Sequence, residues 1–305
     1  MKYRARAFGA DIDLSVEREG LRIGRQLLDY ADVNAIRPVN HRVLIDTRMG
    51  AQVEVSMLGF SYDGFLEELL DSYGKRSLEA LFVDEERLML CEGEYAIPGE
   101  SGRGKIALYP DAVCVLPQTS RAVRIPLCFT ERIWLDAYRL HLIMQDGEKY
   151  IVSKMGYDTE PFAERAEKAA DLVKRKRADA LKTVELHTPF TLKGLFRTET
   201  PGLYWNAAFG DGVCAVELFT DEDSATYLYR LREPRESFQC RLEEAMEAMG
   251  THREIIYLTE EQLAEKTLYR MSVDRMAAVR FLRDHSDGRL VHSANHAERL
   301  QKYLG

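Results

Sequence analysis

The amino-acid sequence predicts an α+β fold, mainly β, made of tandem copies of a small module. In each copy a bent antiparallel sheet, or a small barrel, is closed by a C-terminal helix. The prediction comes from an internal repeat, because residues 41–65 and 138–162 align without a gap. In both segments apolar and polar residues alternate, as in half-buried strands, before an amphipathic helix begins. A helical C-terminal segment is expected to follow the modules.

Glycines stand at equivalent turns of the two aligned segments. Gly50 and Gly147 each separate two predicted strands, where a tight hairpin turn requires a positive φ that glycine adopts without steric cost. Gly59 and Gly156 follow the second of these strands. The matched glycines therefore predict the same hairpin, and the same exit from it, in both copies.

The match extends towards the N-terminus if the second copy has a longer loop. Apolar residues then stand at equivalent positions in four pairs, which are Leu14 with Ile106, Val16 with Leu108, Leu21 with Val113, and Ile23 with Val115. The closing helices open on Phe65 and Phe162, and Phe60 is equivalent to Tyr157. We expect the paired apolar residues of the strands to lie on the buried face of each sheet.

These matches divide the chain into modules. They predict a first module over residues 1–80 and a second module over residues 81–182. Residues 183–250 predict a third, degenerate copy, in which Phe238 takes the place of Phe162 at the start of the closing helix. The chain is therefore expected to contain two complete modules and one degenerate module.

The C-terminal segment, residues 251–305, departs from the repeat. It predicts a strand at 254–258, followed by amphipathic helices at 260–268, 271–285 and 289–304. An apolar stripe along these helices consists of Met271, Met276, Val279, Phe281 and Leu282. This stripe either packs on the third module or forms a face for a partner.

The order of strands, glycine turn and closing helix resembles the pleckstrin-homology-like superfold, especially its bacterial members. Residues 19–58 of the first copy and 111–152 of the second carry the resemblance. It covers residues 1–180 and, more loosely, 184–250. The resemblance implies tandem binding modules and assigns no catalytic residue.

The loops that would hold a phosphoinositide in this superfold have the wrong charge here. Members that bind such lipids use clustered Lys and Arg around the first hairpin. In this chain the corresponding loops, residues 16–20 and 109–113, are mixed or acidic. Many members of the superfold bind proteins instead, so the resemblance favours a protein partner.

Residues 98–106 imitate a nucleotide-binding loop. Gly99, Gly104 and Lys105 match the G-x-x-x-x-G-K pattern, but Ile106 replaces the Ser or Thr that would hold magnesium. The loop should also launch a helix, whereas the repeat places a strand there. We therefore interpret this segment as a flexible linker between the first two modules.

His292 and His296 have the spacing of two metal ligands on one helix face. Ser293 stands where a metalloprotease helix would carry glutamate. The pattern favours a solvated face of the terminal helix, and neither a metal site nor a cofactor site is predicted.

The one dense basic cluster lies in the helix that closes the second module. Its residues are Arg165, Lys168, Lys174, Arg175, Lys176 and Arg177. Cations are favourable near the C-terminus of a helix, so the cluster suits a solvated helix end. Alternatively, it is a patch for an acidic protein, a phosphate or an anionic lipid, which would bind weakly and in a salt-dependent manner.

The five cysteines are scattered and none forms a C-x-x-C pair, which predicts buried free thiols in a reducing cytoplasm. Trp134 and Trp205 are predicted to be core residues. No run approaches the length of a membrane-spanning helix, and the N-terminal residues lack a signal-peptide pattern, so we expect a cytoplasmic protein.

Composition and motifs together point away from catalysis. The net charge of −8 makes nucleic acid an unlikely partner, and no catalytic constellation stands out. The leading hypothesis is a non-catalytic adaptor or assembly component that binds protein partners, or a second copy of itself. The alternatives are a module that responds to anionic lipid or phosphate through the basic helix end, and an enzyme of unrecognised type.

Overall fold

The computed structural model of the chain describes residues 2–83, 85–117, 121–145, 147–180, 195–197, 204–219, 224–250 and 252–305. The side chains at 176–180, 195–197, 204, 219 and 240 lie outside the description. The fold is α+β and mainly β, with two seven-stranded antiparallel sheets and a C-terminal segment rich in helices. The predicted fold class is thus confirmed.

The first sheet is closed by one long helix. Its elements are β1 (Lys2–Ala7), β2 (Ala10–Val16), β3 (Gly20–Ile23), β4 (Gln26–Asp29), β5 (Val33–Val39), β6 (Arg42–Thr47), β7 (Gln52–Ser56) and α1 (Tyr62–Ala80). The strand order is β4-β3-β2-β1-β7-β6-β5, so the first and last strands are neighbours. Phe65 and Leu69 of α1 are fully buried against the sheet, which gives this unit its core.

The second sheet repeats this plan. Its elements are β8 (Met89–Ile97), β9 (Glu100–Leu108), β10 (Ala112–Pro117), β11 (Val123–Pro126), β12 (Thr130–Asp136), β13 (Arg139–Met144), β14 (Lys149–Ser153) and α2 (Thr159–Ala180). The strand order, β11-β10-β9-β8-β14-β13-β12, matches that of the first sheet position by position. Phe162 is fully buried, as Phe65 is in the first unit.

The register of the strands confirms the alignment of the two copies. The cross-strand pairs are Leu14–Ile23 and Val16–Leu21 in β2–β3, and Ile106–Val115 and Leu108–Val113 in β9–β10. Gly50 and Gly147 have φ values of +79° and +89° and turn equivalent hairpins. Equivalent letters therefore occupy equivalent places in both sheets.

A third, five-stranded sheet combines two parts of the chain. Its elements are β15 (Leu195–Arg197), β16 (Tyr204–Phe209), β17 (Val213–Phe219), β18 (Ser224–Arg230), α3 (Arg235–Met249) and β19 (Ser286–Leu290). The strands follow one another in chain order across the sheet. In the first two sheets the last strand before the helix pairs with the first strand of its module. Here the corresponding place beside β18 is taken by β19, which comes after the helix.

The C-terminal helices differ from the predicted ones. The structure contains α4 (Glu260–Glu265), α5 (Thr267–Arg275), α6 (Ala277–His285) and α7 (His296–Leu304). The predicted helix 271–285 is broken at Met276, whose backbone is extended (φ −102°, ψ 106°). The predicted helix 289–304 is wrong in its first half, because Arg289 and Leu290 end β19 and pair with β18, and the helix begins only at His296.

The predicted strand at 254–258 is also wrong, because a 3₁₀ helix occupies Arg253–Ile256. Successive residues of a strand point to opposite faces. Ile255 and Ile256 are both buried in the same apolar cluster, which a helical turn allows. The apolar stripe packs on the third module only in part: Met276, Val279, Phe281 and Leu282 belong to this cluster, whereas Met271 is buried in the core of the first unit.

The segment 98–106 is part of a regular hairpin, so the prediction of a flexible linker is wrong. Strands β8 and β9 pair continuously from Met89–Leu108 to Ile97–Glu100, with Gly99 (φ +80°) in the turn. Regular pairing at every position leaves no free loop for a nucleotide phosphate.

Both tryptophans were expected in the core, and the structure confirms this for Trp205 but not for Trp134. Trp205 is fully buried in the third unit. Trp134 is half-exposed on the outer face of β12, where its ring stacks on His141 at 4.7 Å and lies 4.7 Å from the Arg132 guanidinium.

The units pack on one another through the segment that follows α1. Leu81 and Phe82 belong to the core of the third unit, where Phe82 stacks on His252 with ring centroids 4.2 Å apart. Leu78 and Val83 cover the outer face of β9 and β10. The linker between the first two units is therefore a packed junction. Among the described residues, no helix combines the length and apolarity needed to cross a membrane.

The end of α7 lies directly against the turn between β16 and β17, and this contact predicts the effect of one substitution. A Cβ atom at Gly210 would lie 2.0 Å from the carbonyl oxygen of Leu304, so Gly210→Ala must displace the helix end. We expect a loss of about 1–3 kcal/mol of stability, measured by guanidinium unfolding. Gly74→Ala, at an open position of α1, is the control and should stabilise the chain by about 0.5–1 kcal/mol. Equal effects of the two substitutions would contradict the packing of α7.

Candidate functional site

The basic cluster predicted as an interaction patch lies on α2, and four of its six side chains are among those that the structure describes. Arg165 is exposed and donates a hydrogen bond from Nη1 to the carbonyl oxygen of Leu88, at 3.3 Å. Lys168 and Arg175 are exposed and Lys174 is half-buried. The other two members are residues of α2 whose side chains lie outside the described part, namely Lys176 and Arg177.

Acidic residues accompany the basic ones along the same helix. Glu164, Glu167 and Asp171 are all exposed on α2. Glu164 stands four residues before Lys168, and Asp171 stands four residues before Arg175, which is the spacing of opposite charges that attract along a helix. The described stretch of α2 is thus a mixed-charge surface, which weakens its case as an anion site.

The described cysteines are free and buried, as predicted. Burial raises the pKa of the Cys91 thiol to about 11 and that of the Cys114 thiol to about 12. Burial also raises the pKa of Cys214 well above its ordinary value. Because the thiolate is the reactive form of cysteine, these three thiols are poor nucleophiles at neutral pH.

The two histidines with ligand-like spacing meet in space although they do not share a helix. His292 precedes α7, and its ring lies 4.0 Å from the ring of His296. The hydroxyl of Thr226 is 2.8 Å from Nε2 of His292 and 3.2 Å from Nε2 of His296. Burial lowers the pKa of His296, and the neighbouring His292 lowers it further. The prediction of a solvated helix face is therefore wrong for His292, which lies outside the helix.

Ring nitrogens of both histidines are hydrogen-bonded to hydroxyl groups of β18. Nδ1 of His292 lies 3.0 Å from the hydroxyl of Ser224. Within the described ranges, no group of three or more His, Cys, Asp or Glu residues is arranged to hold a metal ion. The contacts that the structure shows for the histidine pair are thus hydrogen bonds that fasten the segment before α7 to β18.

Two aromatic side chains stand fully exposed at equivalent places in the first two units. Phe60 is 111% exposed and Tyr157 is 103% exposed relative to the free side chain. Each lies in a 3₁₀ turn between the last strand of its sheet and the closing helix, over Gly59–Ser61 and Gly156–Asp158. The sequence alignment paired these residues but gave no sign of their exposure, because an apolar residue in a repeat is usually assumed to be core.

The turn before each aromatic residue has the same backbone conformation in both units. Met57 and Lys154 have positive φ values of 61° and 55°, which are uncommon for residues other than glycine. The side chain of Met57 is 73% exposed, so the first unit presents two apolar side chains at this turn. The second unit presents tyrosine and lysine instead. The repeated geometry therefore displays related but different surfaces.

An open groove of about 660 Å³ lies on β1–β3 of the first unit. Charged side chains of both signs line it, including Lys2, Arg4, Asp11, Asp13 and Arg22. The Arg22 guanidinium is paired with Glu17 and holds the pKa of that carboxyl below its usual range. This groove offers polar contacts rather than an enclosed cavity for a small molecule.

Comparisons with known proteins give no family for the chain. No protein-family model matches it, and no curated protein matches it. Among solved structures, it is similar to the C-terminal domain of an unknown protein from Leishmania infantum, with 8% sequence identity. That similarity covers 33% of this chain and 97% of the domain, with a TM-score of 0.27. A likeness at this level carries no argument about fold or function.

Proposed function

We propose that this chain is a non-catalytic, cytoplasmic adaptor or assembly component that binds protein partners through tandem pleckstrin-homology-like modules. The observation that carries the proposal is the pair of exposed aromatic residues, Phe60 and Tyr157, at the same turn of two matching modules. The repeated strand order and closing helix support the likeness to this superfold. The buried free thiols agree with a reducing compartment.

Exposed aromatic side chains suit protein contacts for an energetic reason. A fully exposed phenylalanine loses its contact with water only when a partner covers it, and burial of such a side chain contributes about 1.5–3 kcal/mol. Aromatic residues are enriched among the few that dominate the energy of protein interfaces. Two of them at equivalent turns give a partner two separate anchoring points on one chain.

The acidic balance of the chain supports a protein partner over the other classes. A net charge of −8 repels nucleic acid and anionic membrane surfaces at long range. The raised pKa values of three buried thiols also speak against cysteine-based catalysis. The charge therefore favours a protein partner over nucleic acid or an anionic membrane, and the thiols disfavour a cysteine nucleophile.

The double variant Phe60→Ser/Tyr157→Ser should lose binding to the partner. The partner is first recovered from the native host by cross-linking and is then purified. Calorimetry measures the affinity of the chain for this partner, and sedimentation velocity measures self-association. We expect the double variant to bind at least tenfold more weakly, because both anchoring points are removed.

A matched control removes two other exposed aromatic side chains. Phe8 and Tyr138 are 64% and 68% exposed and lie in the turns between β1 and β2 and between β12 and β13. Phe8→Ser/Tyr138→Ser should leave the affinity unchanged. Equal binding by the Phe60/Tyr157 variant and the native chain would sink the proposal, as would a chain that neither self-associates nor binds a protein.

A further inference from the structure

Three arginines from separate parts of the chain meet at a single residue, Asp274, near the end of α5. Nη1 of Arg48, from the turn between β6 and β7, lies 2.5 Å from Oδ2 of Asp274. Nη1 of Arg121, from the segment before β11, donates to the carbonyl oxygen of Asp274 at 3.0 Å. Nη1 of Arg280, from α6, donates to the same oxygen at 2.6 Å.

A fourth arginine lies next to this residue in the chain. Arg275 is turned towards α1, where it donates from Nη1 to the Ser77 hydroxyl at 2.5 Å and from Nη2 to the Tyr73 hydroxyl at 3.0 Å. Burial lowers the pKa of Arg275, and repulsion from Arg121 contributes further to the lowering. The guanidinium groups of Arg275 and Arg121 are thus close enough to repel each other.

The arginines at this junction outnumber the carboxylates that they contact among the described residues. Asp32 accepts a backbone hydrogen bond from Arg48 and forms an ion pair with Arg270 at 2.8 Å. In the contacts shown by the described residues, these five arginines meet the carboxylates of two aspartates, in a chain whose net charge is −8. The arginines are Arg48, Arg121, Arg270, Arg275 and Arg280.

Capping the C-terminus of α5 explains part of this arrangement but not all of it. Cations are favourable near the last carbonyl groups of a helix, and Arg121 and Arg280 fill that role. Arg48 bonds to the side chain of Asp274 rather than to the helix end. Arg48, Arg121 and Arg280 are also exposed, and each guanidinium carries five N–H donors, of which these bonds use few.

We propose that this cluster, formed by Arg48, Arg121, Arg275 and Arg280, is a binding site for a phosphate-bearing ligand. The planar guanidinium group matches phosphate oxygens in a bidentate manner, and several such groups from different segments can surround one anion. The bound phosphate neutralises positive charge in the cluster and ties the first unit, the second unit and α5 together. This inference is independent of the proposed function in protein binding.

Inorganic pyrophosphate is the probe for this site. It is titrated into the full chain at constant ionic strength and its binding is measured by calorimetry, with sulfate as the comparison anion. Pyrophosphate should bind and raise the melting temperature. Arg48→Gln/Arg121→Gln should weaken its binding at least tenfold. These two side chains are exposed, so the variant should stay folded, and circular dichroism checks this.

Two further variants separate this site from general charge effects. Lys174→Gln/Arg175→Gln removes the same number of positive charges from the end of α2 and should leave the affinity unchanged. Asp274→Asn removes the carboxylate that competes with the ligand and should tighten binding severalfold. A purely structural role of Asp274 would give no gain in affinity. The proposal is overturned by absence of pyrophosphate binding, by equal losses in the two double variants, or by weaker binding to the asparagine variant.

Vesicles identify the source of the phosphate. If the chain binds pyrophosphate and also sediments with phosphatidic acid vesicles, and Arg48→Gln/Arg121→Gln abolishes both, the ligand is a lipid headgroup. If it binds pyrophosphate and does not sediment with the vesicles, the ligand is soluble. Vesicle binding that the double variant leaves intact, together with no binding of pyrophosphate, contradicts the site.

Discussion

Replacing Asp111 with alanine should lower the free energy of unfolding by about 3–5 kcal/mol, because the substitution leaves the Arg124 guanidinium buried without its counter-charge. The two side chains form an ion pair in which they are only 12% and 9% exposed. Burial by itself would lower the pKa of Arg124, but the attraction of Asp111 outweighs it and raises that pKa. The arginine therefore stays charged in the folded chain.

This ion pair lies beside the contact between the first two units, because Arg124 is the cross-strand partner of Cys114. Leu78 in the last turn of α1 and Val83 just after it cover Ala112 and Cys114 on the outer face of the second sheet. In the first sheet, where no such cover is present among the described residues, the strand position equivalent to Arg124 carries Leu27, which is 41% exposed. Loss of the ion pair should therefore also loosen the junction between the units.

The double variant Asp111→Ala/Arg124→Met is the control for this prediction. It removes both charges, so its loss of stability should be clearly smaller than that of Asp111→Ala. Guanidinium unfolding measures the total loss, and hydrogen exchange of β9–β11 locates it. If Asp111→Ala costs less than about 1 kcal/mol, the pair behaves as an exposed one and the tight contact between the units is wrong.

The repeat could be predicted from the sequence because its signals are local. Alternation along a strand, glycine at a turn with positive φ, and a phenylalanine at the start of each closing helix depend on a few neighbouring residues. These signals matched Leu14 with Ile106 and Ile23 with Val115, and in the structure the pairs Leu14–Ile23 and Ile106–Val115 are equivalent, although the two copies differ in most letters.

The glycine-rich strand β9 shows where such reasoning stops. Glycine in a polar stretch suggested a linker, yet its role there is to let neighbours approach. A Cβ atom at Gly104 would lie 2.5 Å from the carbonyl oxygen of Leu116, and one at Gly102 would lie 3.0 Å from the Tyr95 hydroxyl. Such contacts depend on the partner strand, which the local sequence does not contain.

The candidate sites also differ in whether their signal is local in the sequence or arises only from the fold. The basic cluster on α2 was found by local charge density, and its described side chains alternate along the helix with the exposed Glu164, Glu167 and Asp171. The arginines that do meet, Arg48, Arg121 and Arg280, are isolated in the sequence and are joined only through Asp274. The exposure of Phe60 and Tyr157 likewise became visible only in the folded chain.

Replacing Phe238 with alanine should destabilise the third unit by about 3–5 kcal/mol, as expected for a large side chain deleted from a closed core. Phe238 is fully buried, and its ring centroid lies 5.0 Å from that of Phe281 and 5.5 Å from that of His285. It also contacts the rings of Phe209 and Tyr229 on the sheet. One side chain thus connects α3, α6 and two strands.

Fluorescence of Trp205 reports this loss directly, because Trp205 lies in the same buried cluster. The other tryptophan is removed with Trp134→Phe, at a half-exposed position, so that guanidinium unfolding follows the third unit alone. Phe60→Ala, at an exposed position, is the matched control and should change stability by less than about 0.5 kcal/mol.

The same variant tests whether the third unit and the junction after α1 share one core. Leu81 and Phe82 belong to the cluster that surrounds Phe238. Phe238→Ala should therefore speed hydrogen exchange in both α6 and the segment around Phe82, because a cavity in a shared core weakens all of its walls. Faster exchange confined to α3, with a stability loss below about 1 kcal/mol, would contradict the prediction. Phe238 would then lack the role in core packing that is expected of Phe65 and Phe162 in the first two units.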